Sequence, residues 1–212
     1  MLLKKLYLTN FRPFKGEHEI EFSTDLEKNV TLVMAENGAG KTTLAQAFQW
    51  VLYSKTDGFK NKSVLNSLVE KEMMLGSSSE VIAKLELEHN EIEYTIIRKQ
   101  VYKKDVNGIV NPDNPTLEIF TKKEDGQTVV NNPLKNIATI SNILPESLSK
   151  YFFFDGERIE KMAGEVNSGK SEEFRTAVQN ILGLTALTKA IDHLNPDSKN
   201  SVIGRYNAQM DA

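Results

Sequence analysis

The sequence contains no cysteine, only three histidines, and few glycines and prolines. Without cysteine there can be no disulfide, no thiolate nucleophile and no Cys-ligated zinc or iron–sulfur centre. His18, His89 and His193 are far apart in the sequence, which argues against a histidine-rich metal site. With 12 glycines and 6 prolines in 212 residues, and with 40% hydrophobic residues, the composition is that of a globular protein.

Neither charge nor hydrophobicity points to a membrane or to a general affinity for nucleic acid. The 26 basic and 29 acidic residues leave a net charge of −3, so any DNA contact must come from a local patch. The longest apolar runs are far shorter than the roughly 18 residues of a membrane span, and the N-terminus lacks the pattern of a signal peptide. We therefore expect a cytoplasmic protein of one domain, or of one domain with an appendage.

The N-terminal quarter alternates between strand and helix patterns. Residues 2–8 and 18–22 are predicted as strands, the second because Ile20 and Phe22 alternate with glutamates. Residues 29–34 form a short apolar run rich in β-branched side chains, which predicts a strand buried on both faces. From Thr42 onward the apolar residues follow helical spacing, which predicts an amphipathic helix.

The rest of the chain predicts hairpins followed by helices. Alternation on both sides of a turn at His89–Asn90 predicts a hairpin over 81–98. A further strand is predicted at 117–120, and the ambiguous segment 142–150 is taken as a short helix. Residues 151–154 are predicted as a buried aromatic run, with core-strand positions for Phe152 and Phe154. Helices are predicted at 172–182 and 185–194.

The segment A-E-N-G-A-G-K-T, which begins at Ala35, resembles a Walker A phosphate loop whose first glycine is replaced by alanine. Gly38 and Gly40 allow backbone N–H groups to turn inward around phosphates. Lys41 can reach the β- and γ-phosphates, and Thr42 can offer its hydroxyl to Mg²⁺. The segment lies between a predicted buried strand and a predicted amphipathic helix, which is the context that the motif requires.

A second match, G-E-V-N-S-G-K-S over residues 164–171, fits the motif formally better. No buried strand precedes it, since residues 155–163 are largely charged. We interpret it as a chance match in which Ser171 caps the next helix.

Several N-terminal motifs together resemble the SMC and SbcC-type ATPases. The strand ending in Asn-Phe-Arg at Arg12, the N-G-x-G-K-T loop, and the V-L-Y that ends at Tyr53 are all similar to motifs of that family. The resemblance implies an α/β, α+β-like fold, the N-terminal lobe of an ABC-type ATPase head. This lobe, residues 1–170, would hold a mixed β-sheet with antiparallel hairpins around a P-loop helix, and residues 171–212 would lead toward a coiled coil.

Residues 151–158, Y-F-F-F-D-G-E-R, are the most distinctive stretch. Taken alone, the run could be a Walker B strand, but Gly156 stands where that motif needs a second acid after Asp155. The family resemblance instead places it at the Q-loop, with Asp155 in the position of the usual glutamine. This aromatic form is similar to that of DNA sulfur-modification ATPases and anti-phage SMC-like proteins. The resemblance implies that Asp155 helps to hold Mg²⁺.

The resemblance also implies a set of site residues, with ATP and Mg²⁺ as cofactors. Lys41 and Asp155 would be catalytic, Thr42 and Asp155 would bind the metal, and the nucleotide would contact Arg12, Asn37, Gly38, Ala39, Gly40, Lys41, Thr42 and Thr43.

The chain contains no signature motif, D-loop or switch histidine, so it is expected to be half of a head: an expressed piece, a truncation or one part of a split ATPase. The implied partners are the C-terminal half of the head, in cis or in trans, a second copy joined through sandwiched ATP, DNA, and a nuclease or other effector subunit. The function implied is DNA repair or anti-phage defence.

Two other functions stay open at this point. The chain could be a self-contained P-loop NTPase or kinase that uses Asp155, or a nucleotide-binding interaction module that never hydrolyses ATP. The polar stretch over residues 54–63, after the amphipathic helix, is predicted as a loop. Candidate DNA contacts are lysines in this loop and in the hairpin region, although lysine pairs are more often simply solvated. These lysines are Lys55, Lys60, Lys62, Lys103, Lys104, Lys122 and Lys123.

Overall fold

The computed structural model describes residues 1–36, 38–56, 59, 62–122, 128–153, 179, 184–195, 197–198 and 201–210. The chain divides into two compact units, Met1–Asp155 and Gly156–Ala212. The predicted boundary between residues 170 and 171 stays a prediction, since it lies outside the described residues.

The first unit contains the sheet, and its elements follow one another closely along the chain. They are β1 (Leu2–Phe11), β2 (Phe14–Glu21), α1 (Lys41–Tyr53), α2 (Ser67–Glu72), β3 (Ser78–His89), β4 (Ile92–Lys104), β5 (Val110–Pro112), β6 (Thr116–Lys122), β7 (Thr128–Val130), a 3-10 turn (Pro133–Lys135), α3 (Asn136–Ile143) and α4 (Glu146–Phe152).

The described strands form one sheet in the order β2-β1-β3-β4-β6-β7, and β5 pairs with the end of β4. Every strand pair in this sheet is antiparallel. The prediction of an α/β fold with antiparallel hairpins beside a P-loop helix is confirmed, whereas the predicted mixed sheet is antiparallel at all of its described pairs.

The central hairpin forms because its apolar residues alternate on both strands. Val81, Ala83, Leu85 and Leu87 are buried along β3, while the residues between them are half-buried. The turn residues Asn90 and Glu91 have φ values of 51° and 65°, the left-handed values that a two-residue hairpin turn requires.

Helix α1 packs its apolar face on the sheet and closes the core. A row of four directly paired side chains crosses the inner face, and all four are fully buried: Leu6, Leu85, Ile96 and Ile119. From α1, Trp50 and Val51 are buried, and the Trp50 ring lies 5.4 Å from that of Phe11 on β1.

The prediction of a buried strand over residues 29–34 is wrong. The segment has no regular structure, and Val30, Leu32 and Met34 are about four-fifths exposed. A strand forms only where a neighbouring strand accepts its backbone hydrogen bonds and apolar groups cover its faces. In the described part of the chain, residues 29–34 pair with no strand, although the outer edge of β2 has no strand partner, and no apolar group covers Val30, Leu32 or Met34.

The aromatic run after α3 also differs from its prediction. Residues 142–150, which the sequence predicts as a short helix, contain the end of α3 and most of α4. Helix α4 then continues into the aromatic run as far as Phe152. The Phe152 side chain is 50% exposed, whereas Phe153 is buried. The core-strand position is therefore wrong for Phe152, and Phe154 lies outside the described residues.

In the second unit the structure describes two helices, α5 (Thr185–Leu194) and α6 (Val202–Met210). The bounds of α5 agree with the predicted helix over 185–194, and most of the predicted helix over 172–182 lies outside the described residues. No helix in the described part of the chain is long and apolar enough to cross a membrane.

We expect Leu85→Ala to lower the free energy of unfolding by about 2–5 kcal/mol, because it leaves a cavity in the middle of the buried row. Leu134→Ala is the matched control, since Leu134 is 92% exposed, and it should change stability by less than about 0.5 kcal/mol. Urea unfolding followed by circular dichroism measures both. Equal midpoints for the two variants would contradict this account of the core.

Candidate phosphate-binding site

The loop before α1 has a backbone that only glycine adopts easily. Gly38 and Gly40 have φ values of 87° and 105°, both in the left-handed region. Gly40 is also the N-cap of α1, and no side chain caps this end of the helix. The first N–H groups of a helix have no partner within it, so the turn that begins at Lys41 presents donors to an external acceptor.

The charges around this helix end favour an anion. The first turn of α1 contains no acidic residue. The Lys41 ammonium is exposed and donates to the carbonyl oxygens of Ala35 and Glu36 at 2.6 and 2.8 Å. These are neutral acceptors, and no carboxylate in the described part of the chain forms an ion pair with this ammonium. Phosphate oxygens would be stronger acceptors for it.

The residues present fit a nucleoside triphosphate. Backbone donors, the positive end of a 13-residue helix and the Lys41 ammonium converge at one loop. Thr42, in the first turn, is exposed and can offer its hydroxyl to a Mg²⁺ held by phosphate oxygens. The described residues contain no group of three or more His, Cys, Asp or Glu side chains that could bind a metal ion, so an ion here would take most of its ligands from phosphate and water.

The turn between β1 and β2 lies against the phosphate loop. A Cβ added at Gly40 would meet the Pro13 ring at 3.0 Å and the Phe14 ring at 3.2 Å. Just before these residues, Asn10 and Arg12 have φ values of 53° and 51°. Left-handed backbone is uncommon outside glycine and is often found at functional sites.

The Arg12 side chain is anchored within this turn. Its guanidinium lies 4.7 Å from the centre of the Phe59 ring and donates to the carbonyl of Ser63 at 3.1 Å. Its backbone N–H donates to the Val64 carbonyl at 2.9 Å. The predicted phosphate contact of Arg12 stays a prediction.

Two supporting residues were missed by sequence reasoning. Phe59 is buried in a segment that the sequence predicts as a polar loop, and its ring lies 6.1 Å from that of Phe11. Asn66 is buried, donates its side-chain N–H to the Arg12 carbonyl, and caps α2. The N-cap pattern before residues 67–72 could have identified Asn66, whereas a lone aromatic in a polar loop gives no such signal.

Helix α1 also contacts the segment that leads toward residue 155. The rings of Phe48 and Phe153 stack at 5.0 Å with an angle of 4° between their planes. One residue along α1, the Gln49 amide donates to the Phe153 carbonyl at 3.2 Å. The chain is therefore fixed against the phosphate-loop helix two residues before Asp155.

Most of the residues predicted to contact the nucleotide lie together in the structure, and others lie outside the described residues. One loop and helix turn contain Gly38, Ala39, Gly40, Lys41, Thr42 and Thr43. Asn37, Asp155 and the second motif match over 164–171 lie outside the described residues, so their roles stay predictions.

The described lysines proposed for DNA are largely engaged by protein groups. Lys104 donates to the Met73 carbonyl at 3.0 Å. Three others form ion pairs: Lys55 with Glu146 at 3.0 Å, Lys103 with Asp113 at 2.7 Å and Lys122 with Glu93 at 3.0 Å. Lys60 and Lys123 lie outside the described residues. These pairs reduce the local positive charge that a nucleic acid would need.

Comparison with known proteins gives a family and a partial structural likeness. Among solved structures, an SMC head domain from Thermotoga maritima is similar, with 26% identity and a TM-score of 0.32. The match covers 61% of this chain and 39% of that one, so this chain spans well under half of that protein's length. No curated protein matches the chain. The AAA domain family model matches residues 5–203, almost the entire sequence, and the chain therefore belongs to the AAA domain family.

Proposed function

We propose that the chain is the ATP-binding N-terminal half of an SMC-like ATPase head. The observation that carries this proposal is the uncapped start of α1, where two left-handed glycines and the Lys41 ammonium surround exposed backbone donors. Family membership over residues 5–203 supports a P-loop ATPase. In this function Lys41 binds the β- and γ-phosphates, and Thr42 binds Mg²⁺.

The proposal gives Asp155 the role of a metal ligand beside the γ-phosphate. The Phe153 contacts with Phe48 and Gln49 support it, because they hold the preceding chain against the second turn of the phosphate-loop helix. A bare carboxylate near phosphate would be repelled by about 1 kcal/mol at 4 Å in water and by more at lower dielectric. Asp155 is therefore tolerable there only if Mg²⁺ lies between the two groups.

The exposed apolar segment over residues 29–34 supports a partner that completes the sheet. Val30, Leu32 and Met34 are 83%, 79% and 84% exposed, although they directly precede the phosphate loop. A cluster of exposed apolar side chains marks an interaction surface. We assign this surface to the C-terminal half of the head, supplied in cis or in trans.

Helix α5 supports the proposed continuation into a coiled coil. Leu187, Ile191 and Leu194 are each at least 57% exposed, and they follow one another at four- and three-residue spacing along one face. Such a stripe is suited to a second helix.

The family resemblance adds five further parts to the proposal. They are dimerisation of heads through sandwiched ATP, action on DNA, a defence or repair role, an effector subunit and a cytoplasmic location. A self-contained kinase is less well supported. The chain between α1 and α4 is an antiparallel meander of β3, β4 and β6, whereas kinases of the P-loop class alternate strands and helices around a parallel sheet.

Lys41→Ala should weaken ATP binding by about 1.5–3 kcal/mol, roughly 10- to 150-fold, because it removes a charge-assisted contact to phosphate. The fold should be unchanged, since the side chain is exposed. Isothermal titration with Mg·ATP measures the effect. The matched control is Lys170→Ala in the second motif match, which should bind ATP like the unmodified chain. Lost affinity in the control alone would transfer the site to residues 164–171.

The 212-residue chain should bind Mg·ATP but release phosphate no faster than background, because the proposed site needs a C-terminal half and a second head. Phosphate release measured with and without a separately expressed C-terminal half tests this expectation. Robust hydrolysis by the chain alone, abolished by Asp155→Ala, would instead establish a self-contained enzyme.

Asp155→Asn should reduce the dependence of ATP affinity on Mg²⁺, because it removes the charge that only the metal makes tolerable. Asp155→Gln should partly restore the metal dependence if its amide oxygen reaches the usual family position. Titrations of ATP at several Mg²⁺ concentrations make the comparison, with Glu146→Gln as a control at an exposed carboxylate. Identical metal dependence in all three variants and the unmodified chain would remove Asp155 from the site.

A further inference from the structure

A cavity of about 390 Å³ lies at the end of α1 opposite the phosphate loop. The last residues of the helix, Leu52 and Tyr53, form one wall, and Leu117 of β6 and Ile140 of α3 form others. Ligand sites in proteins begin at about 300 Å³, so the cavity can hold a small molecule. Since α1 has 13 residues, it separates this cavity from the phosphate loop by about 20 Å.

Arg98 lines the cavity and is only 6% exposed. Its Nε–H donates to the Val51 carbonyl at 3.0 Å, and one terminal nitrogen donates to the Leu52 carbonyl at 3.1 Å. A guanidinium has five N–H donors, so three remain for other partners. Burial lowers the pKa of Arg98 to about 10, and the side chain therefore still carries its charge at neutral pH.

No carboxylate among the described residues pairs with Arg98. Glu146 also lines the cavity, but its carboxylate pairs with Lys55 at 3.0 Å. A buried charge normally has an opposite charge as its partner, because desolvation is costly. The helix carbonyls at Val51 and Leu52 offset part of this cost as dipoles but supply no negative charge.

Asn136, at the start of α3, supplies a second unmatched group. It lines the cavity, is 2% exposed, and donates through Nδ2 to the Leu117 carbonyl at 3.0 Å. Its buried Oδ1 has no hydrogen-bond partner among the described groups. Leu117 is the residue directly paired with Arg98 across the sheet. The unmatched acceptor and the unpaired cation are thus both linked to Leu117 at one cavity wall.

We propose that this cavity binds a small monocarboxylic acid that carries a hydrogen-bond donor and an apolar body. The carboxylate accepts the free N–H groups of Arg98, an N–H or O–H of the ligand donates to Asn136 Oδ1, and the apolar part contacts Leu52, Leu117 and Ile140. A single negative charge is favoured over a phosphate because Arg98 is the one cation among the described residues that line the cavity, and the Glu146 carboxylate also lines it. This site is independent of the proposed nucleotide site.

The probes for the test are three compounds of similar shape. N-acetyl-L-leucine has the carboxylate, an amide N–H and an apolar body; 4-methylpentanoate lacks the N–H; and N-acetyl-L-leucinamide lacks the charge. We expect saturable chemical-shift changes at the Arg98 Nε–H and Asn136 Nδ2 signals in ¹H–¹⁵N spectra of the 212-residue chain. N-acetyl-L-leucine should bind with the highest affinity, and the amide at least about tenfold more weakly.

A pair of tryptophan variants tests the location. Ile137 lines the cavity with a side chain that is 76% exposed, so Ile137→Trp should occupy the cavity without disturbing the core. It should weaken binding of N-acetyl-L-leucine at least about tenfold. The matched control is Leu134→Trp, at a 92% exposed position three residues earlier in the chain, which should leave the affinity unchanged.

Three results would overturn the proposal. They are no saturable binding of either acid, equal affinity for the acid and its amide, and unchanged affinity in Ile137→Trp. If the acids fail while the C-terminal half of the head shifts the same two signals, the cavity accepts a protein side chain instead, and the small-molecule assignment is wrong. ATP is absent from all of these measurements, so failure of the nucleotide site would not affect them.

Discussion

The burial of α1 against the inner face of the sheet is the constraint on which the rest of the structure depends. The helix contributes Trp50 and Val51 to the core and is fixed at both ends. At its start, the Pro13 and Phe14 rings lie against Gly40, and at its end Arg98 donates to two of its last carbonyls. Because packing rather than a side-chain cap fixes the start of the helix, its first N–H groups stay available to a ligand.

The backbone strain that this arrangement requires is concentrated around the phosphate loop. Two glycines in the loop and two non-glycine residues in the adjoining turn, Asn10 and Arg12, adopt left-handed backbone. Such conformations cost on the order of 1–3 kcal/mol each outside glycine, and surrounding contacts must hold them. Here the Asn66 side chain and the Phe59 ring supply those contacts from the segment after α1. The scaffold of the site therefore depends on residues that themselves have no phosphate chemistry.

Sequence patterns predicted the parts of the structure that local rules control. Alternation identified the hairpin of β3 and β4, and the glycine-rich motif with helical spacing after Thr42 identified α1 and its loop. The failures involve tertiary partners. The run over 29–34 has the composition of a buried strand, but composition does not say whether a pairing strand is present. The burial of Phe59, the unmatched Asn136 acceptor and the helix-end contact of Arg98 likewise depend on chain segments distant in sequence.

The exposed run over 29–34 has an energetic consequence for the proposed association with the second half of a head. Burying a large apolar side chain is worth about 1.5–3 kcal/mol relative to leaving it in water. Val30, Leu32 and Met34, each about four-fifths exposed, could therefore contribute roughly 5 kcal/mol to association with a completing half. The same segment leads directly into the loop at Ala35 and Glu36, whose carbonyls hold the Lys41 ammonium. In the proposed head, a partner that packs on this run would therefore also contact the chain leading to the carbonyls that Lys41 contacts.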